Sequence, residues 1–221
     1  MAQTKILAKN ERRRLSPAER ERQIVDGAIA YFAEAGLTGQ TRELAQRLGI
    51  TQPLIYRYFP TKQDLIDRVF EEVFVGRWKR EWTTLITDRS RPLRDRLIDF
   101  YRDYVAEAFS YEWIRIYMFA GLAGEDLNRR YIALLEDVLL VPLCRELRTA
   151  AGVAQADSVA VDSRELEGAW HIHAAIFYYV VRKHIYSSPV DPDIDEFITD
   201  SVDRTLAGTL GQLQRRFGIS S

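Results

Sequence analysis

The chain is expected to be all-α, and three observations point there. Beyond residue 15 apolar residues recur at helical spacing to the end of the chain. No stretch alternates with a period of two or carries a hairpin signal. The breaks between periodic runs hold capping residues, prolines in first turns and glycines past last turns. About nine helices follow, arranged as a three-helix head (residues 1–62) on a larger helical body (residues 63–221).

Residues 1–15, with Lys5, Lys9 and the Arg12-Arg13-Arg14 run, have no apolar period and are expected to form a flexible basic arm. Ser16-Pro17-Ala18-Glu19 opens the first helix with a capping box and a proline at its first position. Ile24, Ala28, Tyr31, Phe32 and Ala35 form its buried stripe, and Gly36 ends it. Thr41 and Thr51 precede the next two short helices, each able to accept a backbone N–H. Pro53 sits in a first turn, where a missing N–H costs little. Pro60 closes that helix, and Thr61 to Asp64 is a capping box for the fourth.

The fourth helix is expected over 63–86, with Leu65, Val69, Val73 and Ile66, Phe70, Phe74 as adjoining apolar rows. Pro92 starts a fifth, whose face is Leu93, Leu97, Phe100, Tyr104 and Ala108. An aromatic-rich segment follows over 111–122. The next helix, over 125–148, contains Pro142, which should kink or split it. Residues 149–162 read as a loop. Asp162 and Glu165 cap a long helix to about residue 186, and a final helix fades at Gly218.

Composition sets the boundaries. The 221 residues are 47% hydrophobic, enough for a sizeable core, and the net charge is −1. Its distribution is uneven. Residues 1–62 carry 11 Lys/Arg against 6 Asp/Glu, net +5, leaving net −6 on the body. A basic head on an acidic body suits a protein that presents one end to phosphate. The single Cys144, next to Leu143, excludes a disulfide framework and reads as a buried structural thiol. There is no signal-peptide core, and the apolar run 172–181 is too short to span a bilayer. A cytoplasmic protein is expected.

The segment from Thr41 to Lys62 carries the function. Ala45 is small where two helix backbones must approach, and Gly49 supplies a left-handed turn four residues later. Ile55 follows six residues on, at the inner face of the second helix. That spacing is the steric recipe of a DNA-binding helix-turn-helix. Gln52, Pro53 and Leu54 then stand at the N-terminus of the recognition helix. Glutamine can read adenine, while proline and leucine can touch thymine methyls. Thr51 is able to hold phosphate while capping.

The segment, TRELAQRLGI followed by TQPLIY, resembles the tetracycline-repressor (TetR) family of bacterial regulators. The resemblance covers about residues 20–70, and its most specific part is the spacing of Tyr56, Phe59 and Lys62. It implies that Arg42 reaches the groove floor, and that Thr41, Tyr56, Tyr58 and Lys62 hold phosphates or the groove wall. The basic arm is either a solvated tail or a minor-groove contact.

For the body the resemblance implies dimerisation through the last two helices and a small effector bound inside. One motif reads only a few base pairs, so an inverted-repeat operator and a homodimer are expected. Phe197, Val202, Leu206, Leu210 and Leu213 are the candidate interface. Trp113, Tyr117, Trp170, His173 and Phe177 are the candidate effector wall, with an ordinary aromatic core as the alternative. His171 and His173 lie two apart on opposite sides of a helix, so no metal is expected. No catalytic motif or cofactor-binding loop is present, so no enzyme and no cofactor are expected. The function expected is a homodimeric repressor released from its operator by a small hydrophobic or aromatic molecule. The alternative is a DNA-binding adaptor or activator whose body binds a protein.

Overall fold

The computed structural model describes residues 15–124 and 126–219, so residues 1–14 of the expected basic arm lie outside the described residues. The described residues are helical and contain no strand. The head is α1 (Pro17–Ala35), α2 (Thr41–Leu48) and α3 (Gln52–Tyr58). The body begins with α4 (Lys62–Phe70), which runs into a π turn (Glu71–Val75), then α5 (Arg80–Thr87), α6 (Leu93–Ala108) and α7 (Tyr111–Ala123). It continues with α8 (Leu127–Leu135), a second π turn (Glu136–Leu140), α9 (Val141–Ala150), α10 (Ser163–His184) and α11 (Ile194–Phe217).

The helix starts follow sequence chemistry. Ser16/Glu19, Thr61/Asp64 and Asp162/Glu165 form reciprocal capping boxes at α1, α4 and α10. Thr41 and Thr51 do not cap with their side chains; Gln40 precedes α2, and Thr51 makes no cap hydrogen bond. Thr41 instead turns its hydroxyl toward α3, as described below. Ala35 is exposed on α1, and Ala33 packs in its place.

One expected helix is two. The chain leaves the 62–75 rod at Gly76, whose N–H closes the π turn on the Glu71 carbonyl at 2.6 Å, and α5 restarts at Arg80. Trp82 explains the turn. Its buried indole packs edge-on against Trp78 and donates to Asp103 on α6 at 2.6 Å, a position that a straight continuation would not give it. The Pro142 expectation is met by the second π turn. Proline removes a helical donor and crowds the carbonyl four residues back. That carbonyl, on Val138, accepts from Thr83 Oγ1 at 3.4 Å.

Two buried ion pairs cross-link the body. Glu146 on α9 takes Arg96 Nη1 of α6 at 2.8 Å, and Arg89 approaches the same carboxylate. Arg148 forks onto Glu165 of α10 and donates to the carbonyls of Ala156, Val159 and Ala160. This second set holds the 151–162 segment, which the sequence leaves without period. Desolvated charges survive only when paired; Arg148 has all three guanidinium nitrogens engaged, whereas Arg96 Nε is buried without a partner among the described residues.

The head hangs from the body at two places. α4 continues directly from α3, and α1 lies along α7. Arg115 of α7 donates Nε to the Ala33 carbonyl near the end of α1. Gly36, at φ +75°, lets the Phe119 ring approach to where a Cβ would be 3.2 Å away.

Candidate nucleic-acid interface and aromatic core

The helix-turn-helix geometry is built by sterics. Leu44, Ala45 and Ile55 are buried between α2 and α3, and Gly49 turns the chain at φ 63°, ψ 32°. A glycine not singled out in the sequence, Gly27 of α1, lets Leu48 press in; a Cβ there would sit 2.4 Å from Leu48 Cδ2. Only the contact partner reveals that role, because Gly27 lies inside an uninterrupted helical pattern. Tyr31 and Arg47 brace the opposite side, with Tyr31 donating to Glu43 at 3.0 Å and the guanidinium lying over its ring.

The expected contact residues lie together on α2, α3 and the start of α4, with different exposures. Arg42, Thr51, Pro53 and Tyr56 are exposed, while Gln52, Leu54, Tyr58 and Lys62 are half-buried. Tyr58 packs against the core. Thr41 is buried at 5% exposure and its Oγ1 is engaged twice. Gln52 Nε2 donates to it at 2.8 Å, and Tyr56 Oη lies 3.0 Å away. Among the described residues, Arg42, Lys62 and Arg57 have no carboxylate partner within 4 Å. Arg57, exposed on α3, is absent from the sequence candidates; its position beside Tyr56 is the signal that could have flagged it.

In the body, four of the five effector candidates join one aromatic cluster. Trp113 stacks on Tyr117 at 5.0 Å and meets Phe177 at 6.3 Å. Phe109 bridges Trp113 to His173, and among the described residues Trp170 meets the ring cluster through His173, at 5.6 Å. Phe74, Tyr104 and Tyr131 complete the packing. Tyr101 Oη and His173 Nδ1 are buried in it without a hydrogen-bond partner among the described residues. Burial pushes the His173 pKa down to about 3 and raises that of Tyr101, so both groups are neutral. The Cys144 thiol is likewise buried, its pKa pushed up to about 12, with Sγ against the Glu165 carbonyl.

The buried face of α10 is centred on Ala169, Ile172, Ile176 and Tyr179, so Trp170, Phe177 and His184 lie at its margin. On α11, Val202 and Leu213 are buried in the core of the chain. Phe197, Leu206 and Leu210 are half-buried against that core. The outward side between α10 and α11 is an open cleft of about 530 Å³ lined by Gly168, His171, Ala175, Ser201, Thr205 and Gly208. His171 and His173 do face different ways, and no metal-ligand cluster occurs among the described residues. No helix of the described residues is long and apolar enough to cross a membrane.

An exposed recognition helix held at a glycine-turned corner, on an all-helical body, defines a helix-turn-helix protein. Residues 24–69 match the family model described as bacterial regulatory proteins, tetR family. The likeness to that family covers the head from within α1 and reaches into α4. It is 31% identical over 83 residues to the HTH-type transcriptional regulator LuxR of Vibrio harveyi, covering 37% of this chain and 38% of that protein. It is 32% identical over 88 residues to the class A tetracycline repressor protein from transposon 1721 of Escherichia coli, covering 36% and 40%. The matches thus span about two fifths of these curated relatives. A TetR-like transcriptional regulator from Rhodococcus sp. RHA1 shares the fold, with a TM-score of 0.60, 18% identity, and coverage of 88% of this chain and all of that one.

Proposed function

We propose that the protein is a homodimeric transcriptional repressor of the bacterial cytoplasm, released from an inverted-repeat operator by a small hydrophobic or aromatic effector. The observation that carries the DNA-binding part is the α2–α3 surface. It combines an exposed helix N-terminus, a base-reading amide at Gln52 and, beside it, three cations that have no carboxylate partner among the described residues. Head residues 1–62 are the DNA-binding domain and residues 63–221 the effector and dimerisation domain. The open α10–α11 cleft, lined by Gly168, Ala175, Ser201, Thr205 and Gly208 with Phe197, Asp200 and Arg204, supports pairing with a second copy there; the half-buried Leu206 and Leu210 lie on the same helix, α11.

The route from effector to operator runs through two helices. Trp113 and Tyr117 lie on α7, the helix that holds the end of α1. Phe74 ends the rod that begins at Lys62 and touches the same two rings. A molecule that parts these rings moves both suspensions of the head. It shifts DNA affinity only through unequal binding to two head arrangements, typically by ~1–3 kcal/mol. The second function, an adaptor or activator whose body binds a protein, draws support from the mutual contacts of these rings, which are those of an ordinary aromatic core.

Binding titrations test the DNA face. Arg42→Ala and Gln52→Ala should each cost ~1–3 kcal/mol at one base pair per half-site. Lys62→Ala should weaken all sequences alike and flatten the salt slope by about one unit. Unchanged discrimination in Gln52→Ala would remove α3 from the groove. Sedimentation of a wild-type monomer at micromolar concentration would remove the dimer.

A further inference from the structure

The hydrogen bonds around Thr41 have a direction. Gln52 Nε2 can only donate, so Thr41 Oγ1 accepts from it. The Thr41 hydroxyl keeps one proton of its own, and the neighbouring polar atom is Tyr56 Oη, at 3.0 Å. Were Tyr56 to donate to Thr41, the buried threonine proton would have no acceptor among the described residues. An unmade bond of that kind is costly. Threonine therefore donates to Tyr56, and the tyrosine keeps its own proton on an exposed ring. A phosphate oxygen offers only lone pairs, and an outward tyrosine O–H is its complement. The other end of the chain is fixed at the same time. With its nitrogen held against Thr41, the Gln52 amide turns Oε1 away, and that oxygen has no protein partner among the described residues.

We propose that Thr41 is a positioning residue that couples a phosphate contact at Tyr56 to base reading at Gln52, so that Gln52 leads with its carbonyl oxygen toward a base edge bearing an exocyclic amine, adenine N6 or cytosine N4. The proposal rests on the DNA-binding function above. Its distinguishing consequence is that a phosphate-contacting residue affects sequence choice. Phosphate contacts otherwise set position and leave specificity to base contacts. Lys62, outside the chain of hydrogen bonds, should follow that ordinary pattern.

The experiment uses a pool of duplexes with a randomised core, from which full-length wild type selects its preferred sequence. Wild type, Thr41→Val, Thr41→Ser, Tyr56→Phe and Gln52→Ala are then titrated with that duplex and all its single-base-pair substitutions. Thr41→Val should lose about tenfold discrimination at the same base pair where Gln52→Ala loses it. Thr41→Ser should restore most of the discrimination, and Tyr56→Phe should reduce it there. In the Gln52→Ala background, Thr41→Val should remove nothing more at that position. The preferred base pair should carry adenine or cytosine toward Gln52. If Thr41→Val and Tyr56→Phe weaken every duplex equally while Gln52→Ala still alters one position, the coupling is overturned and the DNA face stands. If Gln52→Ala alters no position, the DNA face itself fails, and the coupling with it. Should Thr41→Val not fold, the exposed Tyr56→Phe variant carries the same two outcomes.

Discussion

Head and body solve the same problem, fixing helices against one another, by different means. In the head the crossing of α2 and α3 depends on Ala45, Gly49 and Ile55, near neighbours in sequence whose sizes and backbone preferences suffice. In the body the crossings depend on partners far apart in sequence. Arg96 meets Glu146, Arg148 meets Glu165, and Trp82 reaches Asp103. The head turns polar groups outward to a flat face; the body encloses charges and rings. Local geometry thus fixes the helices of the head, and long-range burial fixes those of the body.

Breaking a body contact should cost most. Arg148→Ala leaves the buried Glu165 paired with Arg216 alone, at 3.9 Å, beside three orphaned carbonyls, and should destabilise by ~3–5 kcal/mol. The double variant Arg148→Met/Glu165→Leu should recover much of the loss, because it removes the desolvated charge. Chemical denaturation of both variants measures the difference. Equal losses in the two would mean that the pair contributes no more than packing.

The next effect depends on pH. His173 is neutral in the fold because burial among Tyr101, Tyr104, Phe109 and Trp170 lowers its pKa to about 3. The unfolded chain protonates this side chain below pH ~6.5 and the folded chain does not. Stability is therefore complete above that value and falls with acid down to about 3. One proton gives a slope of at most ~1.4 kcal/mol per pH unit. His173→Leu should flatten the wild-type decline in melting temperature between pH ~6.5 and ~4.5. Parallel curves for the two proteins would mean that the imidazole is charged, or solvated, in the fold.

The smallest effect belongs to the head. Gly49 has φ +63° and nothing within 4 Å of a Cβ placed there, so substitution meets backbone strain alone. Gly49→Ala should destabilise by ~1–2 kcal/mol, and Gly49→Asn by less. A loss of 4 kcal/mol or more would show that the turn has a packing role and would erase the contrast with the body.

This contrast also separates what was legible in the sequence from what was not. The capping boxes at Ser16, Thr61 and Asp162, the left-handed Gly49 and the disturbance before Pro142 are local events, and local spacing announces them. The break at Gly76 was hidden, because the apolar rows of α4 run on in phase toward Trp82 and only its distant partner Asp103 dictates the turn. Thr41 has a capping residue's chemistry in a capping residue's place, yet its neighbours across the α2–α3 crossing claim the hydroxyl. Val202 and Leu213 share the apolar spacing of α11 with Leu206 and Leu210. Periodicity alone cannot divide such residues between a protomer's core and a partner.

The junction between Gly36 and Phe119 bears on how such proteins can be recombined. A phenyl ring on the body occupies the space that a side chain on the head would need, at a residue whose backbone already favours glycine. Head and body are therefore interchangeable parts only where the graft brings a matched seam. A foreign head with a β-carbon at this position would strain a backbone at φ +75° and press the ring of α7 back by a few tenths of an ångström. Designers of chimeric regulators could exploit the pair as a compatibility key, choosing donors by these two positions before considering the rest of the interface.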